Sequence, residues 1–386
     1  MDGKYPTAPL LDAIAPESHS GISNTLLIGL SLALALPMIA TAQKINEQLA
    51  IGGVLAGAIQ CQNVSNTLGS SNTCEGAVPF QPELSFQPTE TDEVFVKLGF
   101  ATGNGLNENS PFVIAPWAAD LKDDVKNING RHRNYLLTAW YKHTFSVSDD
   151  HSLGTTLGII DATDYLDENA YANDEYTQFM NSALTNGPNV FLPSYDLGVA
   201  LEWDTGPWSL RGVFMDVGEN DDGNNYSFYG LQARYSVKNR LGTGHYRVSI
   251  ATGSQDFLHP DGIHMEERSG TVFSFDQEFG KVMGGWIRFG WQTDEAAVDY
   301  NAIYSGGIDI KGTAWGRDDD NIGLGFASLN GGSLNIDKSQ VAEAYYRWQL
   351  GEMFGLTADI QYQNDDYKID QGPHGWTYSL RVVTEF

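Results

Sequence analysis

Hydrophobic and polar residues alternate along most of this chain with a period of two. The last stretch, Gly375 to Phe386, shows the pattern best. Trp376, Tyr378, Leu380, Val382 and Phe386 fall on one side with Thr384, while Thr377, Ser379, Arg381 and Glu385 fall on the other. A two-residue period is a β-strand with one apolar face. A strand that carries rings near both ends of its apolar side and closes on an aromatic residue fits a membrane-spanning barrel. There roughly 9 to 11 tilted residues cross the lipid between aromatic girdles.

From residue 49 onward the same rhythm predicts about sixteen strands, near 49–60, 80–88, 93–101, 132–145, 152–161, 196–204, 207–215, 227–237, 244–252, 271–279, 284–292, 301–311, 320–328, 341–350, 353–363 and 375–386. The connections alternate in length. Short ones fall near 89–92, 146–151, 205–206, 238–243, 280–283 and 351–352, with 312–319 somewhat longer, and long ones near 61–79, 102–131, 162–195, 216–226, 253–270, 329–340 and 364–374, with 293–300 alone brief. The expected fold is therefore all-β, a transmembrane antiparallel β-barrel with short periplasmic turns and long extracellular loops. The loops 102–131 and 162–195 are the candidates to fold inward and narrow the channel, with Trp117, Tyr171, Asp174 and Phe179 as constriction residues. Helical spacing of Tyr176, Phe179 and Met180 predicts a short helix over Tyr171–Ser182.

Charge sharpens the picture, because a Lys or Arg facing lipid at mid-depth costs roughly 2–4 kcal/mol. With each lipid face fixed from its apolar residues, Lys97, Lys142, Arg211, Arg234, Arg247, Arg288, Lys311, Arg347 and Arg381 all take the opposite parity, as do Glu83, Glu202, Asp276, Asp309, Glu343 and Asp359. From this inward set, Trp140, Glu202, Arg211, Arg234, Arg247, Arg288, Glu343, Tyr345, Arg347 and Asp359 are the candidate pore-lining residues. Arginines and carboxylates can hydrogen-bond to hydroxyls while Trp140 and Tyr345 offer flat surfaces. The bland alternative is an ion-pair ladder that only stiffens the wall.

Composition sets limits. The formal charge of -27 over 386 residues argues against a nucleic-acid partner. Several apolar runs of about 20 residues would mark a helical membrane protein, and the chain has none. Leu26 to Met38 is an apolar run of signal-peptide length followed by Ala40-Thr41-Ala42, so 1–42 is assigned to an export leader and 43–386 to the barrel. The two cysteines, Cys61 and Cys74, are expected to close a short loop as a disulfide after export. No cofactor or metal site is expected. His259 and His264 lie close together without a nearby Cys or a paired ligand spacing, and Asp318 to Asp320 read as a solvated periplasmic turn. No Ser/His/Asp arrangement suggests an enzyme.

Several blocks resemble the OprB-type carbohydrate-selective porin family: FQPTETDEVFVKLGFATGNGLN at 86–107, IDATDYLDENAYANDEYTQFMNSA at 160–183, WGRDDDNIGLGFA at 315–327 and VAEAYYRWQLGEMFGLTADIQYQND at 341–365, together with the RVVTEF end. The last 22 or so residues depart somewhat, with DDYKIDQGPHGW where the family often has a Pro-Gly turn. The resemblance implies a sixteen-stranded channel in the outer membrane of a Gram-negative-type bacterium that passes small sugars by facilitated diffusion. The barrel would contact outer-membrane lipid and lipopolysaccharide. Phe386 resembles the signal read by the barrel-assembly machinery. Both monomer and trimer stay open, as do a general or ion-selective porin on the same scaffold and, from another class, a barrel enzyme or adhesin.

Overall fold

The computed structural model describes residues 43–67, 71–148 and 150–386; the expected leader at 1–42 lies outside these. Its strands, numbered here in chain order, are β1 (Leu49–Ser65), β2 (Asn72–Phe86), β3 (Asp92–Leu98 continuing as Phe100–Thr102), β4 (Leu136–Ser148), β5 (His151–Ile160), β6 (Asp196–Thr205), β7 (Trp208–Val217) and β8 (Tyr226–Lys238). The second half adds β9 (Thr243–Leu258), β10 (Met265–Phe279), β11 (Met283–Gln292), β12 (Tyr300–Lys311), β13 (Asn321–Gly331), β14 (Ile336–Leu350), β15 (Phe354–Tyr367) and β16 (Gln371–Glu385). A two-residue piece, Gln43–Lys44, folds back on β1.

Each strand pairs antiparallel with its sequence neighbours, and β16 pairs with β1 from His374↔Ser65 to Glu385↔Val54. The sheet is thus a closed sixteen-stranded cylinder with no free edge. Closure satisfies the backbone of every strand within the sheet, as lipid requires. Leu197, Leu201, Trp203, Trp348, Trp376, Tyr378 and Leu380 stand exposed on the outside, whereas Arg211, Arg247, Arg288, Arg381, Glu343 and Asp359 are buried within.

The rims differ from expectation in where their length lies. One rim has turns of modest size, 312–320 being the longest. The other carries 103–135 and 161–195, yet its remaining connections are only 66–71, 218–225, 259–264, 293–299, 332–335 and 368–370. The long loops expected at 61–79, 253–270, 329–340 and 364–374 shrink because the strands run on. Above the lipid a strand no longer needs an apolar face, so the alternation fades while the hydrogen-bonded ladder continues.

Two local expectations are corrected. Cys61 and Cys74 are disulfide-bonded, but across directly paired positions of β1 and β2 rather than within a loop. The Tyr171–Ser182 stretch is not helical; the only α-helix there is Ser182–Thr185. Asp174 caps a single turn, accepting from the Tyr176 and Thr177 amides (2.8 and 3.2 Å), but the turn goes no further, because Glu343 takes the Met180 and Asn181 amides (2.6 and 3.0 Å).

Candidate functional site

A barrel of this size encloses space that side chains of the wall alone do not fill, and here the two long loops occupy much of it. One apolar cluster joins Ile114, Tyr171, Phe179 and Leu184 of the loops to the inward-facing Trp286, Ile303, Leu329 and Tyr345. Another joins Tyr165, Leu166 and Val190 to Val213, Met215, Phe228 and Val272. Part of the inner wall is therefore apolar, and loops dock on it as helices dock on a sheet. Small wall residues make the room: a Cβ on Gly325 would lie 2.8 Å from the Phe179 ring.

Polar wall residues fasten the loops. Arg288, fully buried, pairs through Nε with Asp167 Oδ1 at 3.0 Å, and its Nη2 donates to the Ala172 and Thr185 carbonyls at 3.0 and 3.3 Å. Arg381 donates to the carbonyls of Glu175 and Gln178 at 2.7 and 2.8 Å. Gln361 and Gln363 donate to the carbonyls of Pro116 and Ile114 at 2.9 and 3.0 Å. Asp365 accepts from the Val113 amide at 2.9 Å. Two loops with little secondary structure are thereby held inside the cylinder by the hydrogen bonds that buried backbone demands.

All ten pore-lining candidates face inward, but their surroundings differ. Arg288, Glu343 and Tyr345 are covered by the loops. Asp359 is buried and accepts from Gln361 at 3.1 Å. Arg247 is buried against Asp276, 2.5 Å away. Arg211 lies between Glu202 at 3.6 Å and Asp204 at 3.0 Å, and Lys142 holds the other side of Glu202 at 2.5 Å. Trp140 stacks on Phe95, ring centres 5.0 Å apart. Arg234, paired with Glu168 at 3.0 Å, and Arg347, 3.7 Å from Glu385, keep more of their surface open to the lumen. Of the loop candidates, Trp117 and Phe179 are fully buried and Tyr171 nearly so, and Asp174 is half-buried.

The space left between loops and wall is a succession of adjoining cavities. At the long-loop rim a 620 Å³ mouth is lined by Phe191, Tyr226, Phe257, Arg268, Tyr300 and Asp221 among others. Beneath it, a 400 Å³ space between the two loops shares Asp120, Phe191 and Ser194 with the mouth. This space meets a 420 Å³ inner cavity at Thr163 and Asn186. The inner cavity carries Glu83, Asp161, Asp164, Glu168, Asp174, Glu175 and Glu385, with Lys97 as its one cation among the described residues. Lys97 pairs with Glu83 at 3.2 Å. Asp120, between the cavities, accepts from Gln81 Nε2 at 2.6 Å and from the Tyr195 hydroxyl at 2.5 Å. Burial pushes its carboxyl up to about 7 against the pull of the Tyr195 hydrogen bond, and burial likewise pushes Glu175 up to about 8.

Several of these residues escape a reading by parity. Phe191 and Arg268 flank the mouth, with the guanidinium 4.5 Å from the ring centre, and Phe191 holds φ +34, a left-handed conformation uncommon for a bulky residue. Arg268 sits on β10 beyond the apolar band, where alternation had already lapsed. The acids of 161–175 were visible as loop charge on a loop expected to fold inward, but nothing in the linear order says which of them line a cavity together.

A closed sixteen-stranded cylinder, apolar outside and threaded by polar cavities that inserted loops narrow, defines an outer-membrane diffusion channel. The chain belongs to the OprB family of carbohydrate-selective porins, whose family model matches residues 101–364. It is 29% identical over 309 residues to an uncharacterised protein of Aquifex aeolicus, covering 78% of this chain and 88% of that one. Among solved structures it is similar to the high-pH form of Pseudomonas putida OprB, with a TM-score of 0.70 at 12% identity, covering 88% of this chain and 94% of that one. The outer-membrane channel DcaP of Acinetobacter baumannii gives 0.55 at 11% identity, covering 90% and 100%. The function is that of an outer-membrane sugar porin.

Proposed function

We propose that neutral mono- and small saccharides pass through the mouth, between the loops and down the inner cavity, guided by weak contacts rather than held at one site. The observation that carries this reading is the lining itself. At the mouth Phe191, Tyr226 and Phe257 stand among carboxylates such as Glu219 and Asp221, and carboxylates with Lys97 follow below. Sugar hydroxyls accept from Lys97 and Arg234 and donate to the carboxylates, while apolar ring faces slide on aromatic ones. Arg234 and Arg347 are the pore-lining candidates best placed to touch sugar. Arg211, Arg247, Arg288, Glu343 and Asp359 act on flux indirectly, by holding wall and loops. Phe386, whose backbone pairs with Gly53 (3.0 and 3.1 Å), is proposed as the residue the assembly machinery reads.

Swelling of liposomes in glucose, sucrose and salts tests the reading. Uptake should favour sugars beyond what size dictates, and Arg234→Ala should change sugar flux while leaving the barrel intact. Solutes ranked by size alone would refute selectivity. A second reading, a cation-preferring channel, is favoured by the seven carboxylates facing Lys97 in the inner cavity. A reversal potential of zero in a salt gradient would remove it.

A further inference from the structure

Among the described residues, one cluster belongs neither to the inserted loops nor to the wall. The connection 259–264, between β9 and β10, reads His259-Pro260-Asp261-Gly262-Ile263-His264. Read linearly, its histidines lack a ligand spacing. The hairpin brings them together.

Its backbone is tightly tied. The His259 amide donates to the His264 carbonyl at 2.9 Å, and the Gly262 amide donates to the His259 carbonyl at 2.9 Å. Gly262 adopts φ +71, which glycine reaches without strain, and Pro260 fixes its own φ. Asp261 Oδ1 accepts from the Ile263 and His264 amides at 2.8 and 3.1 Å. Its other oxygen, Oδ2, is thereby aimed at both imidazoles: His264 Nδ1 lies 2.5 Å away and His259 Nδ1 3.2 Å. One ligand atom from each of the three residues lies within 4.8 Å of the other two.

The cluster contributes little to the barrel, since water screens exposed ion pairs, and His264 keeps 70% of its side-chain surface open. What the geometry does offer is a donor set of two imidazoles and one carboxylate gathered by the hairpin, in which a metal ion would displace the hydrogen bond between His264 and Asp261 and the one from the Asp261 amide to His259 Nδ1 (3.1 Å). That set suits borderline divalent ions; calcium and magnesium prefer oxygen alone.

We propose that the 259–264 hairpin is a surface binding site for a divalent transition-metal ion of the zinc, nickel and copper group, held by His259, Asp261 and His264. The site stands on the long-loop rim, so the ion reaches it without entering the lumen. Its base is fixed to the neighbouring connection, where Asp222 Oδ2 accepts from the Leu258 amide at 2.8 Å.

The test is isothermal titration of tag-free, chelator-treated protein in detergent with Zn2+, Ni2+, Ca2+ and Mg2+. The expected result is one Zn2+ or Ni2+ per chain and no competition by a large excess of Ca2+ or Mg2+. His264→Ala and His259→Ala should each weaken binding by at least the roughly 10- to 100-fold that loss of even an outer partner of a metal ligand costs. His151→Ala, at the opposite rim, should leave it unchanged. Strand circular dichroism of each variant shows that the barrel persists. No saturable binding to the wild type, equal affinity for Ca2+, or unchanged stoichiometry and affinity in the His259→Ala/His264→Ala double variant would overturn the proposal. None of these outcomes depends on sugar transport.

Discussion

The loops 103–135 and 161–195 leave the same rim as six short connections, yet the two groups obey different physics. The short ones, such as 332–335 and 368–370, turn the chain and bond to one another along the rim: Ser333 Oγ donates to the Ala296 carbonyl at 2.6 Å and the Lys368 amide to the Asn335 carbonyl at 2.8 Å. The long ones enter the cylinder, bury Trp117, Phe179 and Leu184, and depend for their hydrogen bonds on wall residues of β1, β2 and β8 as well as of β10 through β16. The difference teaches that the barrel and its constriction are separable: sheet closure stabilises one, loop docking the other.

The largest effect should come from erasing the contrast. Replacing 166–190 by a short Gly/Ser linker is expected to raise single-channel conductance several-fold and abolish sugar block in planar bilayers. Two extra glycines in 368–370 should change neither. If both alterations behave alike, the loops do not set the constriction.

A single side chain should give a smaller version. Arg288→Met leaves Asp167 buried without its cation, and breaking such a pair costs about 3–5 kcal/mol. That loss falls on loop docking, so hydrogen exchange in 161–195 should accelerate while strand amides stay protected. Uniform acceleration would show that loop and barrel unfold together.

The smallest effect concerns pH. The Asp120 carboxyl rises from an ordinary 3.8 to about 7 when its loop is docked. The docked state therefore keeps its proton between those values while the released state does not. The contribution to docking is full below about pH 4 and is lost as pH rises through 7. Exchange of 103–135 should be slower at pH 5 than at pH 8 after correction for intrinsic rates, and Asp120→Asn should flatten the difference.

Much of the cylinder was legible in the chain. Lipid imposes an apolar outer face, and Leu197, Leu201 and Trp203 show it at period two. A lumen excludes no charge, so Arg211 and Glu202 could be assigned inward by parity alone. Strand ends were not legible, because beyond the apolar band only the ladder marks a strand. That the two long loops fold inward was legible from their length and rings, but the wall they dock on was hidden: Trp286, Ile303 and Leu329 break the expectation of a polar inner face, and their partners Phe179 and Leu184 lie more than a hundred residues away. Tyr171–Ser182 kept a helical rhythm because its apolar residues meet the wall, although Glu343 takes the Met180 and Asn181 amides a longer helix would use.

The sulfur bridge joining β1 to β2 bears on how the cylinder seals. β1 is the strand against which β16 closes the ring. A slip of one residue between β1 and β2 would turn the two sulfurs to opposite sides of the sheet, so the covalent link admits a single alignment. Formed in an oxidising compartment, it gives β16 a partner strand whose own register against β2 is held covalently.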